Sequence, residues 1–69
     1  EKSLRAWRRD RSRQDGVPAY IVFSDKTLRA IVSARPATLA ALRRVDGIGP
    51  TKLELYGDDV LALVAAAQP

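Results

Sequence analysis

Apolar side chains recur along this chain at the spacing of amphipathic helices, and no long segment alternates apolar with polar residues. In the first segment, residues 2–15, Leu4, Trp7 and Ser12 fall on roughly one side at helical spacing, and arginines cover the rest. An indole placed opposite the charges is typical of a core anchor, and base stacking is the alternative role of Trp7. The pattern predicts a first helix that buries one face.

Residues 17–23 form the one stretch whose composition would suit a strand. A lone strand has no pairing partner, so we interpret it as an extended or single-turn connector whose apolar side chains enter the core. Ser24 is typical of the N-cap of the helix that follows, and Phe23 and Leu28 have the spacing of a hydrophobic staple. Pro36 ends that helix, because the residue before a proline avoids the helical region.

Capping residues and proline divide the second half of the chain. Thr38 is placed to cap a short helix that turns Leu39 and Leu42 inward. Pro50 suits the first position of the next helix, because its missing N–H costs nothing there.

Gly57 is the expected C-terminal glycine of that helix, which the pattern ends at about Tyr56. Asp58 and Asp59 then suit the start of another helix, where the helix dipole favours anions. The sequence therefore predicts an all-α fold, a compact bundle of about five short helices that forms one domain over residues 1–69.

The residue types exclude several kinds of chemistry. The chain has no cysteine and no histidine, which excludes disulfides and any thiolate or imidazole ligand for a metal. Asp58 and Asp59 are neighbours, but adjacent helical positions point in different directions and do not form a carboxylate pair. We expect no catalytic residues, no cofactor and no metal. The longest apolar run is far too short to cross a bilayer, and a cytosolic location is the expectation.

Positive charge is concentrated at the start of the chain. The formal net charge is +4, of which the first sixteen residues carry +3. A basic segment of this kind predicts attraction to phosphate groups, whereas the alternative is a solvated helix face in an arginine-rich chain. The candidate phosphate-binding residues are Arg5, Arg8, Arg9, Arg11 and Arg13, extended by Lys26 and Arg29 if the helices pack that way.

Residues 42–53 read as a helix, a Gly-x-Gly hairpin and a second helix, so they are typical of a helix-hairpin-helix element. Gly47 and Gly49 leave the main chain uncovered, and N–H groups at a helix N-terminus can receive a phosphate oxygen. Thr51 and Lys52 would assist from the first helical turn. The alternative is that the glycines only make a tight turn, with Ile48 filling the core.

Tyr20 is the other candidate for contact with a nucleic acid. It follows a proline in the connector near the basic first helix, where an exposed ring could stack on a single-stranded base. The alternative is a buried ring with its hydroxyl group at the surface.

Three groups of residues together resemble the HRDC (helicase and ribonuclease D C-terminal) domain. They are Leu4-Arg5-x-Trp7-Arg8, the segment from Val17-Pro18-Ala19-Tyr20 to Thr27-Leu28, and Gly47-Ile48-Gly49-x-x-Lys52-Leu53-x-x-Tyr56-Gly57-x-Asp59-Val60-Leu61. The resemblance covers nearly the whole chain. The tryptophan of the first helix is most similar to versions attached to bacterial RecQ-like or UvrD-like helicases.

The resemblance implies a five-helix bundle that is a piece of a larger, cytoplasmic bacterial protein, most simply an ATP-dependent DNA helicase. It also implies an accessory domain, likened to modules of DNA repair and recombination, that binds single-stranded or forked DNA weakly. Some members of the family are similar to protein-docking modules. The alternative is therefore a module that docks on another protein or on the rest of its parent enzyme and regulates it. We expect the domain to be a monomer.

Overall fold

The structure, a computed structural model, describes residues 2–66, and every regular element in this range is a helix. In chain order the helices are α1 (Lys2–Asp15), α2 (Ala19–Val22), α3 (Asp25–Ala34), α4 (Leu39–Arg43) and α5 (Pro50–Ala66). The all-α prediction is confirmed. Residue 1 and residues 67–69 of the predicted domain lie outside the described range.

The predicted caps are present. The Ser24 hydroxyl group accepts the Thr27 N–H at 3.1 Å, and the staple residues Phe23 and Leu28 are both fully buried. The Thr38 hydroxyl group accepts the Ala41 N–H, also at 3.1 Å. These side chains satisfy N–H groups that have no partner within the helix, so α3 and α4 begin where the sequence predicts.

The connector is a single helical turn, which is one of the two predicted forms, but it does not bury all of its apolar residues. Val22 and Phe23 are fully buried, whereas Ile21 is 46% exposed and Tyr20 is 67% exposed. A four-residue helix turns only part of its surface toward the core, so the prediction that its apolar side chains enter the core is wrong for Ile21.

The prediction of a break at Gly57 is wrong. Helix α5 runs without interruption from Pro50 to Ala66, so Gly57 lies inside it. A Cβ atom at Gly57 would lie only 2.8 Å from Leu39 Cδ2 of α4. The glycine permits a close approach of the two helices, and Leu39 lies over it at 43% exposure instead of fully entering the core.

All five helices contribute to the core, which is built around three aromatic rings. The Trp7 ring stacks on Phe23 with centroids 5.8 Å apart, and it meets the edge of Tyr56 at 5.6 Å. Phe23 and Tyr56 also meet edge to face at 5.6 Å. Trp7 therefore anchors the core, as predicted, and fixes α1 to α2 and α5.

None of the helices within residues 2–66 is long and apolar enough to cross a membrane. In the same range, no group of three or more acidic side chains is placed to hold a metal ion.

Candidate nucleic-acid interface

Helix α1 buries one of the arginines that the sequence singles out for binding. Arg8 is only 8% exposed, on the same side as Leu4 and Ser12, one turn before and one turn after it. Its Nη1 atom donates to the Phe23 carbonyl oxygen at 3.0 Å, and its Nη2 atom lies 2.9 Å from Asp25 Oδ1. Arg8 thus joins α1 to the end of α2 and the start of α3.

A second arginine of α1 is also engaged within the domain. The Arg11 Nε atom donates to Asp15 Oδ2 at 3.0 Å, one turn further along the helix. The Arg11 guanidinium carbon lies 5.0 Å from the centroid of the Tyr56 ring, within the range of a cation–π contact. Arg11 therefore covers the aromatic part of the core.

The remaining arginines of α1 lie on its outer side. Arg5, Arg9 and Arg13 are exposed and follow one another at intervals of four residues, so they form a row along one helix face. We call these three residues the outer arginine row. Arg9 Nε lies 3.6 Å from Asp10 Oδ1, but both side chains are more than 60% exposed, so water and salt screen this pair.

Arg5 and Arg9 of the outer arginine row line a shallow groove between α1 and α2. The groove has a volume of about 380 Å³ and is lined by Arg5, Ala6, Arg8, Arg9 and Ala19. Tyr20 follows directly after Ala19 and is 67% exposed, so the alternative of a buried Tyr20 ring is wrong. The groove is therefore cationic, and an exposed aromatic residue directly follows its lining residue Ala19 in the chain.

The first turn of α3 extends this cationic surface. The Arg8 guanidinium, by its hydrogen bond and its charge, holds the pKa of Asp25 below its usual value, and Arg5 and Arg29 add smaller effects of the same sign. Arg5 of α1 and Arg29 of α3 thus both act on this carboxylate. Asp25 also neutralises part of the positive charge there.

The other side of the first turn of α3 contacts the hairpin. The Thr27 hydroxyl group donates to the Asp46 carbonyl oxygen at 3.1 Å, and the exposed Lys26 ammonium lies 3.5 Å from Asp46 Oδ2. Gly47 has a φ of +93°, and a Cβ atom there would overlap Thr27 Oγ1. Gly47 therefore serves the turn and its packing, and Ile48, 5% exposed, fills the core as the alternative interpretation holds.

Gly49 differs from Gly47. A Cβ atom at Gly49 would meet no atom within 4 Å, so neither packing nor a positive φ requires glycine there. Its main chain leads into α5, whose first turn carries an exposed Thr51 and a half-buried Lys52. The hairpin thus has one glycine fixed by packing and one, half-buried, that has room for a side chain.

Sequence reasoning missed the two contacts that position this surface. The inward direction of Arg8 has a local signal, since it lies four residues after Leu4 and four before Ser12. The contact of Thr27 with Gly47 joins positions twenty residues apart and has no local signal.

Comparison with known proteins agrees with this architecture. The family model of the HRDC domain matches residues 1–64. The ATP-dependent DNA helicase UvrD2 of Mycobacterium tuberculosis is 51% identical over 88% of this chain, and the ATP-dependent DNA helicase RecQ of Pasteurella multocida is 33% identical over the same share. These matches span 9% and 10% of the two helicases, so the chain covers about a tenth of their length.

The fold is also similar to a solved structure described as D. radiodurans RecQ HRDC domain 3. The TM-score is 0.91 at 35% sequence identity, and the match covers 94% of this chain and 86% of the other. A match of the family model to nearly the whole chain, together with relatives and a structure above 30% identity, shows that this chain belongs to the HRDC domain family.

Proposed function

We propose that this chain is an accessory domain of a bacterial, cytoplasmic ATP-dependent DNA helicase and binds single-stranded or forked DNA weakly. The observation that carries the proposal is a groove lined by the exposed Arg5 and Arg9, together with the exposed ring of Tyr20, which directly follows the groove residue Ala19 in the chain. A single strand needs cations for its phosphates and aromatic faces for its bases, and this surface offers both. The domain itself takes no part in catalysis.

The proposed contacts divide by role. Arg5, Arg9 and Arg13 bind phosphates, and Tyr20 stacks on a base. Lys26 and Arg29 extend the phosphate contacts along α3, while Gly49, Thr51 and Lys52 offer a further contact at the start of α5. Arg8, Arg11 and Gly47 support the surface from within and make no direct contact with DNA.

This surface predicts weak binding that depends strongly on salt. Contact with about three to five phosphates releases a corresponding number of counterions. The affinity for a single strand therefore falls as the salt concentration rises, and it falls more steeply the more phosphates are in contact. Weak binding is useful to a tethered domain, because attachment to the motor raises its effective concentration at the strand. We expect slight sequence preference, since no helix is placed to read base edges.

Fluorescence anisotropy with a labelled single-stranded oligonucleotide at two salt concentrations tests the proposal. We expect binding that weakens steeply with salt. Binding that does not respond to salt would contradict it. A folded domain that ignores DNA at low salt, yet changes the activity of its parent helicase, would favour the docking function instead.

Tyr20→Ala tests the stacking contact in the same assay. Loss of one base–aromatic stack costs about 1–3 kcal/mol, so we expect the Kd for a single strand to rise at least several-fold. Ile21→Ala is the matched control, because Ile21 is the exposed neighbour of Tyr20 and has no aromatic face. Equal effects of the two substitutions would remove Tyr20 from the proposed site.

A further inference from the structure

The net charge of the chain conceals a second basic region. Residues 26–45 contain five basic residues and no acidic residue, whereas residues 46–69 contain one basic and four acidic residues. Taken together, these two segments carry a net charge of only +2, because +5 in the first is offset by −3 in the second. In the fold they belong to different elements, because the first covers α4 and all of α3 except its first residue, Asp25, and the second covers the hairpin and α5.

Arg35 is the first residue of interest in this region. Within residues 2–66 it is the one non-glycine residue with a positive φ, 47°, at the C-terminal end of α3. Glycine is the residue that this backbone conformation favours. The Arg35 side chain is exposed, and among the described residues it has no carboxylate within ion-pair distance. An arginine at a position that favours glycine points to a use for its side chain.

Arg43 and Arg44 lie at the other end of α4. Both are exposed, and neither has a carboxylate within ion-pair distance in the described part of the chain. Helix α4 has five residues, so its ends are only about 7 Å apart. Arg43 and Arg44 thus lie at the end of this short helix, and Arg35, at the end of α3, precedes its first residue by four positions.

The first turn of α3 lies between α1 and the hairpin that follows α4. Asp25 and Thr27 are two positions apart on α3, so their side chains point about 200° apart around the helix. Asp25 contacts Arg8 of α1, whereas Thr27 contacts Asp46 of the hairpin that follows α4. Helix α1 and the hairpin that follows α4 thus contact opposite sides of the first turn of α3.

We infer that Arg35, Arg43 and Arg44 form a second phosphate-binding surface, which takes the backbone of a second DNA segment while the outer arginine row holds the first. The inference rests on the proposed function and deepens it. Arginine presents a planar, permanently charged fork that suits phosphate oxygens, and DNA offers one charge per nucleotide along each strand. The guanidinium groups of these three arginines have no carboxylate partner in the described part of the chain, so they are free to bind successive phosphates.

Backbone amide NMR of the isotopically labelled chain, titrated with a forked DNA duplex, tests the inference. We expect signals to shift both around α1 and α2 and around α4. Shifts around α1 and α2 without shifts around α4 would overturn the inference and leave the proposed function standing. Shifts around α4 without shifts around α1 would overturn the proposed site on α1 and, with it, the inference of two surfaces that act together. No shifts would overturn both.

The salt dependence of fork binding by Arg43→Ala/Arg44→Ala tests the inference quantitatively. Each phosphate contact on duplex DNA contributes about 0.9 to the salt slope, so we expect the slope for the fork to fall by up to about 1.8. Binding of a short single strand, which reaches only one surface, should not change. An unchanged slope for the fork would overturn the inference.

Arg35→Gly separates binding from folding. Glycine accepts the positive φ at this position more readily than arginine, so we expect a higher midpoint of unfolding together with weaker binding to the fork. A more stable domain with unchanged affinity would remove Arg35 from the surface. An equally stable or less stable domain would contradict the interpretation of its backbone conformation.

Discussion

The two sides of α1 carry the same residue type with opposite consequences. Arg8 is buried, hydrogen-bonded to the Phe23 carbonyl group and paired with Asp25. Arg9, its neighbour in sequence, is 61% exposed and has only a loose pair with Asp10. The number of arginines in a segment therefore overstates its binding surface. Their phase on the helix decides which of them hold the fold and which face solvent.

The hairpin shows the same division. Gly47 is held against Thr27 with a positive φ, whereas Gly49 has open space around it. In both regions one member packs within the domain, and the contacts that we propose with DNA involve the other member. Substitutions of the packed members should therefore change stability, and substitutions of the other members should change binding.

Gly47→Ala is expected to have the largest effect on stability. A side chain at this φ costs about 1–2 kcal/mol, and the overlap with Thr27 adds about 1–3 kcal/mol of overpacking. Gly16→Ala is the matched control, because Gly16 also has a positive φ, +67°, but a Cβ atom there meets nothing within 4 Å. Chemical denaturation measures both variants. Equal losses would show that the contact with Thr27 contributes nothing.

Arg8→Ala should have the second-largest effect on stability, a loss of about 1.5–3 kcal/mol in the free energy of unfolding. The substitution removes hydrogen bonds from a charged donor and leaves the Phe23 carbonyl oxygen without its partner. Arg9→Ala, one residue along, should change stability by less than about 0.5 kcal/mol. Similar losses in the two variants, measured by denaturation, would contradict the division of α1 into two sides.

A smaller effect is expected in acid, through Asp25. Arg8 lowers the pKa of Asp25 in the folded state. The ion pair therefore contributes stability above the unfolded pKa of about 3.9, and that contribution is lost as the pH falls through the lower folded value. The advantage of the wild type over Asp25→Asn should shrink below about pH 4.

Denaturation of the wild type and Asp25→Asn across the acidic range measures this change. Asp10→Asn is the control, since it leaves the pair of Arg8 with Asp25 in place, and it should follow the wild-type course. An advantage over Asp25→Asn that stays constant through the acidic range would show that the pair does not contribute to stability.

Local signals in the sequence predicted most helix boundaries. Ser24, Thr38 and Pro50 each mark the start of a helix through chemistry that acts within one turn. The predicted helix end at Gly57 was wrong, because glycine also permits close packing between helices. The atom that requires it, Leu39 Cδ2, lies eighteen residues away in the chain.

The candidate surface was less predictable than the fold. Helical phase was sufficient to indicate that Arg5, Arg9 and Arg13 share a face. The inward direction of Arg11 depends on Tyr56, which only the packing of α1 against α5 brings within reach. The same holds for the exposure of Tyr20, which depends on how much of its single helical turn the core covers.

The most direct test of the account is the salt dependence of single-strand binding by the wild type and by Arg9→Ala/Arg13→Ala. Each phosphate contact on a single strand contributes about 0.7 to the slope of log K against log salt, so the variant should bind more weakly with a slope smaller by about 1.4. Its stability should match that of the wild type. Unchanged affinity and slope in a folded variant would contradict the claim that the outer arginine row binds DNA.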